Sequence, residues 1–196
     1  MEIVIASNNI NKVKEYREIL EPLNIKCLSL ADLNINTDFN EVGNTFKENS
    51  LIKAKEVAKY TNKIILADDS GLIIDSLPDI LGVHSSRFME DKPYFEKHKE
   101  IIRLLKDKDN RNAHFTTVIT LYNYKDIPIY FEGRLDGSIA KIAQGDKGFG
   151  YDPIFIPKGY DKTMGVYGLD LKNKISHRAK ASQLLLEYLK KEMGKI

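Results

Sequence analysis

The chain has 196 residues, 42% hydrophobic and 30% charged, which supplies enough apolar matter for one core, bilobed at most, and too much for a disordered chain. Basic residues number 30 against 28 acidic, a formal charge of +2, so nothing in the total draws a long polyanion such as DNA and any phosphate affinity must be local. Cys27 is the only cysteine, which excludes an intrachain disulfide and a multi-thiolate zinc site and suits a reducing cytosol.

The N-terminus turns polar at Ser7, too soon for a signal-peptide core or a membrane span, so a cytoplasmic protein with no membrane partner is the default expectation. Ile3 to Ala6 predicts a short buried strand. The polar turn Ser7 to Asn11 then leads into a helix with Val13, Tyr16 and Leu20 at helical spacing. Thr45 and Glu48 have the spacing of a capping box, with the stripe Leu51, Ala54 and Ala58 behind them. Lys63 to Ala67 and Leu72 to Ile74 read as two strands separated by the acidic turn Asp68-Asp69-Ser70-Gly71, which would put carboxylates at a strand end.

Tyr94 to Lys106 predicts a structural helix with Phe95, Ile102 and Leu105 on one side. His114 to Tyr122, Ile127 to Arg134 and Ser138 to Ile142 are β-rich, the first two joined by an Asn123 to Asp126 turn that suits a hairpin, and a glycine-rich loop follows from Gly145 to Gly150. Ser176 is the N-cap of a last helix with Ala181, Leu184, Leu185, Tyr188 and Leu189 as its apolar face and Gly194 as its stop. No repeat, low-complexity tract or linker divides the chain, so residues 1–196 are read as a single α/β domain with a mixed sheet.

Several segments could carry chemistry, and each has a plainer reading beside it. Adjacent carboxylates at Asp68 and Asp69 can hold a hard cation and polarise water, although Asp-Asp-Ser-Gly is also good turn chemistry. Ser7-Asn8-Asn9-Ile10-Asn11-Lys12 would turn backbone N–H groups toward an anion at a helix start, or be an ordinary cap with a solvated lysine; it is no Walker A loop. Lys53 on an Ala-rich helix would by itself only reach out to solvent. Lys147 to Pro153 combines glycines, aromatics and an acid that would let a planar base approach and stack, or form a turn with exposed aromatics. Ser176-His177-Arg178, with Lys172 nearby, gathers cations at the start of the last helix, as a simple capped helix also could.

In this order the segments resemble the inosine triphosphate pyrophosphatase family, which hydrolyses deaminated purine nucleotides. The match runs from Ser7 to Arg178 through Gly43 to Ser50 with Lys53-Ala54, Ala67 to Leu72, Ser85-Ser86-Arg87-Phe88 and Gly148 to Pro153. The resemblance implies an elongated mixed β-sheet flanked by helices, two lobes with the active-site cleft between them, and a homodimer. It implies hydrolysis of ITP, dITP or XTP to the monophosphate and pyrophosphate with Mg2+. It places Ser7, Asn8, Asn9, Ile10, Asn11, Lys12 and Lys53 on the triphosphate, Glu41 and Asp69 at the metal, and Asp69 also as general base. Ser70, Phe149, Gly150, Tyr151, Asp152, Lys172, His177 and Arg178 fall around the nucleotide, with Arg178, a donor only, suited to a six-position carbonyl.

Four positions depart from the pattern. Asn8 stands for a usual glycine, Asn40 for a common metal-binding glutamate that Glu41 would replace, Leu81 for a proline, and Val166 for a glutamate, a change that would loosen the Lys172 region. A pyrophosphatase of other nucleoside triphosphates and a non-catalytic nucleotide-binding module are the alternatives, and near-balanced charge argues against a nucleic-acid partner.

Overall fold

The computed structural model describes residues 1–194. Its strands form one six-stranded sheet in the order β2-β1-β3-β4-β5-β6, where β1 is Glu2–Ile5, β2 Lys26–Leu28, β3 Ile64–Ile74, β4 Asn112–Tyr122, β5 Ile129–Ile139 and β6 Phe155–Pro157. The pairs β1–β2 and β1–β3 are parallel and β5–β6 is antiparallel, so the sheet is mixed, as the sequence predicts. The helices are α1 (Ile10–Leu20), α2 (Phe46–Ala58), α3 (Tyr94–Leu104), α4 (Met164–Tyr167), α5 (Leu169–Ile175) and α6 (His177–Met193).

The chain forms two compact units, one of residues 1–69, 118–132 and 181 onward, the other of residues 70–117 and 133–180. In the first unit β1 is buried on both faces, which explains its unbroken apolar run. Ile3 and Ile5 pack with Val13, Tyr16 and Leu20 of α1 and Ala181, Leu185 and Leu189 of α6, while Val4 and Ala6 pack with Ala54 and Val57 of α2. The same alternation runs up β3: Leu66 joins the α1 side, and Ile65 and Ala67 join the α2 side. Each wholly buried Leu or Ile here stabilises the unit by about 1.5–3 kcal/mol. In the second unit Leu72 and Ile74 of β3 pack with Ile101 of α3, Leu105, Phe115, Leu135 and Phe155.

Helix starts follow the sequence closely. Asn9 caps α1 by accepting from the amides of Asn11 and Lys12, Thr45 and Glu48 form the reciprocal capping box of α2, and Ser176 Oγ accepts from Ala179 N at the head of α6.

Elsewhere the structure corrects the reading. The acidic segment is no turn: Asp68, Asp69, Ser70 and Gly71 lie inside the single strand β3. Ile129 to Arg134 and Ser138-Ile139 likewise belong to one strand, β5, which runs through Asp136-Gly137, while Ala140 to Ile142 lie beyond its end. Phe95 is not on a core face but 55% exposed, and Leu184 is exposed too. On α2 the stripe is centred on Ala54 and Val57, with Leu51 and Ala58 only half-buried.

Candidate active site

In the first unit, β3 sets the arrangement. Successive side chains on a strand point to opposite faces, so Asp68 shares a face with Leu66 and Asp69 shares one with Ile65 and Ala67. Each carboxylate therefore meets the helix packed on its own side. Lys12 of α1 places its ammonium 3.0 Å from Asp68. Lys53 of α2 places its own 3.6 Å from Asp69 and 2.8 Å from Glu41, which arrives on the segment before α2. Asp68, Asp69 and Lys53 are all buried.

Charge is thus concentrated where water is scarce, and the protonation states respond. Burial pushes the Asp69 carboxyl above the ordinary aspartate range, opposed by Lys53 and reinforced by the negative charge of Glu41, with Lys12 and the Asn49 amide pulling it back. Burial disfavours the Lys53 ammonium, but Asp69, Asp68 and Glu41 outweigh it and hold that lysine above its usual value. A buried carboxylate that holds its proton more tightly, beside a firmly charged lysine, is an arrangement that general-base chemistry on an anionic substrate can use.

The loop before α1 is organised by its own side chains. Ser7 Oγ accepts from Asn9 N at 3.1 Å, and Asn9 Oδ1 accepts from Asn11 N and Lys12 N at 3.0 and 3.4 Å. Of the amides expected to face an anion, those of Asn9, Asn11 and Lys12 are therefore engaged internally. Ile10 is 83% exposed. Asn8 is not among the residues with left-handed backbone, so it fills the usual glycine position without strain, and its amide donates to Thr37 O at 3.1 Å.

In the second unit the loop from Gly148 to Asp152 is held by named contacts. Asp152 Oδ2 accepts from Lys172 Nζ at 2.6 Å and from Phe149 N at 2.9 Å, and both charged side chains are buried. The Lys172 ammonium also lies 3.6 Å from the centroid of the Phe149 ring. Lys172 thus keeps a partner although Val166 stands where a glutamate is usual. Gly148 has φ +84°, and a Cβ there would fall 2.2 Å from Asp152 Oδ2, so only glycine leaves room for the carboxylate. Tyr151 packs edge-on against Tyr94 and donates its hydroxyl to Ser85 O at 2.6 Å, and burial pushes its phenol up. Its hydroxyl is therefore spent on the fold.

Arg178 is 2% exposed and donates to Ser70 Oγ at 3.2 Å, while His177 stacks on Phe115 with centroids 4.9 Å apart. Each unit thus gathers its own share of the residues singled out in the sequence. The first holds Ser7 to Lys12, Glu41, Lys53 and Asp69; the second holds Ser70, Phe149 to Asp152, Lys172, His177 and Arg178. Asp69 and Ser70 are consecutive on β3.

One pairing and two contributors escaped the sequence reading. Asp68 pairs with Lys12, which the strand's alternation would have assigned had the segment been read as a strand. Asn49, wholly buried, accepts from Gly43 N at 2.8 Å and lies against Asp69. His98 Nε2 donates to Gly150 O at 2.8 Å, a contact across 52 residues that no local pattern announces.

Comparison with known proteins bears on this geometry. A model of the Ham1 family matches residues 3–188. The dITP/XTP pyrophosphatase of Bacillus subtilis (strain 168) is 43% identical over 191 residues, covering 96% of each chain. The dITP/XTP pyrophosphatase of Christiangramia forsetii is 42% identical over 97% of this chain and the whole of its own. A HAM1 protein structure from Coxiella burnetii superposes with a TM-score of 0.90 at 37% identity, covering 97% of this chain and 99% of the other.

Proposed function

The chain belongs to the Ham1 family, and on that premise we propose that it hydrolyses non-canonical purine nucleoside triphosphates of the dITP and XTP type to the monophosphate and pyrophosphate. The observation that carries the reading is the cluster of half-buried Glu41 with buried Lys53 and Asp69 beside the Lys12–Asp68 pair. A triphosphate brings about four negative charges, and hydrolysis requires their neutralisation. Lys12 and Lys53 supply part of it. The relatives in Bacillus subtilis and Christiangramia forsetii, which carry the dITP/XTP pyrophosphatase name, support the choice of substrate.

Glu41 and Asp69 would hold magnesium. Among the described residues no group of three or more His, Cys, Asp and Glu forms a complete cage. Magnesium suits one or two carboxylates, since it keeps waters and phosphate oxygens for its remaining positions. The Lys53 ammonium, 2.8 Å from Glu41 and 3.6 Å from Asp69, marks the attraction of this carboxylate pair for a cation. When bound, the metal supplies charge neutralisation to the phosphates.

Asp69 orients water and takes its proton as the water oxygen bonds to the α-phosphorus. The bond from that phosphorus to the bridging oxygen breaks, and pyrophosphate leaves with its charge met by Lys12 and Lys53. The loop Phe149 to Asp152, pre-set by Lys172, takes the base. Arg178, with donors only, accepts hypoxanthine or xanthine through the six-position carbonyl and is left unpaired opposite an adenine amino group. Ser70 orients Arg178, and His177 completes the nucleotide side. No helix among the described residues is long and apolar enough to cross a membrane, and we place the protein in the cytoplasm as a homodimer.

The test is pyrophosphate release from a panel of nucleoside triphosphates with and without magnesium. dITP and XTP should lead the panel, activity should vanish in excess chelator and return with magnesium, and the products should be monophosphate and pyrophosphate. Orthophosphate as the direct product would overturn attack at the α-phosphorus. Tight binding of ITP without turnover would favour a non-catalytic module.

A further inference from the structure

One hollow lies among residues that the proposed chemistry does not use. It measures about 440 Å3 in the second unit and is lined by Ile102 and Arg103 of α3, by Lys106, Lys108, Asp109 and Arg111 between α3 and β4, and by Lys141 just after β5. Five of these side chains are cationic and one is acidic, in a chain whose whole formal charge is +2. Cations at a helix C-terminus often only answer the helix dipole. That account covers Arg103 and Lys106 but not Lys141, which comes from a different element.

The hollow also has a rigid charged wall. Arg111 donates to Ile139 O, Leu105 O and Ala140 O, each at 2.8 Å, three bonds from a group that carries five N–H donors. Its partners are neutral carbonyls, so its charge is not cancelled. Burial alone pushes the Arg111 guanidinium down, with no acid acting on it. Arg103 is shared with Glu100, whereas the ammonium groups of Lys106, Lys108 and Lys141 form no ion pair among the described residues. By contrast, the hollow of about 450 Å3 beside β5 and β6 answers its own charge, with Arg134 on Asp136 at 2.8 Å.

We infer that this basic hollow binds a small oligophosphate anion, at a site separate from the Asp69 cluster. A fixed guanidinium flanked by exposed ammonium groups from two elements matches an anion with several charged oxygens. The groups surround a concavity and do not run along a stripe, which favours a compact anion over a nucleic-acid strand. The site does not depend on the activity proposed above.

The experiment titrates inorganic tripolyphosphate into metal-free protein and follows backbone amide NMR shifts. Amides from residues 102 to 111 and at Lys141 should shift saturably. The triple variant Lys106→Ala, Lys108→Ala, Lys141→Ala changes only exposed side chains, and in it the affinity read at those amides should fall by roughly tenfold or more. Shifts near Ser7 to Lys12 should survive, so failure here and failure of the active-site reading are told apart. ATP binding the hollow as well as tripolyphosphate would mean that the phosphate chain alone is read; tripolyphosphate binding better would mean a free inorganic anion. Either supports the site. No shift at millimolar anion, shifts unchanged in the triple variant, or tighter binding of a DNA oligonucleotide at the same amides would overturn it.

Discussion

Lys172→Met gives the sharpest test of how the second unit is held. Lys172 and Asp152 are 5% and 4% exposed at their side chains and lie 2.6 Å apart, so the substitution leaves a carboxylate in a dry site with only Phe149 N as donor. Breaking a buried pair from one side costs about 3–5 kcal/mol, because the remaining charge keeps its desolvation cost and loses its attraction. At about 2–4 °C per kcal/mol for a chain of this size, Tm should fall by roughly 6–20 °C. Asp152→Asn combined with Lys172→Met removes both charges and should return to within about 2 kcal/mol of the parent. An exposed pair sets the scale: Arg134→Met, opposite Asp136 with both side chains more than half exposed, should cost under about 1 kcal/mol. Urea unfolding followed by circular dichroism measures all of these. If Lys172→Met falls within about 1 kcal/mol of the parent, the pair is not what fixes the loop.

Four further outcomes follow from the same geometry. Asp69→Asn should lower turnover by at least roughly 10²-fold and leave Tm unchanged or higher: the folded pKa lies above the unfolded one, so this group's contribution falls as pH rises through that interval and its buried charge is a cost at neutral pH. A melting scan showing a clear loss would contradict this. The Asp69 carboxyl, followed by carbon NMR in metal-free protein, should titrate above 3.8, and a midpoint at or below it would mean that the lysines outweigh burial. Gly148→Ala should cost at least about 2 kcal/mol, because it adds left-handed strain to a clash with Asp152; a neutral effect in urea unfolding would show that the loop shifts freely. Arg178→Ala should reduce kcat/KM for ITP more than for ATP, since about 1.5–3 kcal/mol of charged hydrogen bond is lost only with the former; equal losses would assign Arg178 to the phosphates or the fold.

Much of the architecture was legible because it is local. The capping box at Thr45 and Glu48, the cap at Ser176 and the stripe of Val13, Tyr16 and Leu20 are all short-range patterns, and each formed as read. What misled was polarity taken for a turn. Asp68 to Gly71 satisfies turn chemistry, but its carboxylates find partners 56 and 16 residues away in Lys12 and Lys53, which lets the backbone stay extended. Gly137 misled in the same way. It lies inside β5 because β6 passes so close that a Cβ would sit 2.2 Å from Ile156 O, a requirement set by another strand. At the candidate site the residue types were legible and the pairings were not: nothing local ties Asp152 to Lys172 or His98 to Gly150.

The alternation along β3 makes the site sensitive to phase in a way that composition is not. Inserting one residue between Ala67 and Asp68 would keep every side chain yet turn each carboxylate toward the other helix, Asp68 to the side of Lys53 and Asp69 to the side of Lys12. A substitution at one of these positions therefore alters one charge pair, whereas a single-codon insertion or deletion there rewires both at once. Length, as well as identity, is thus constrained on this strand.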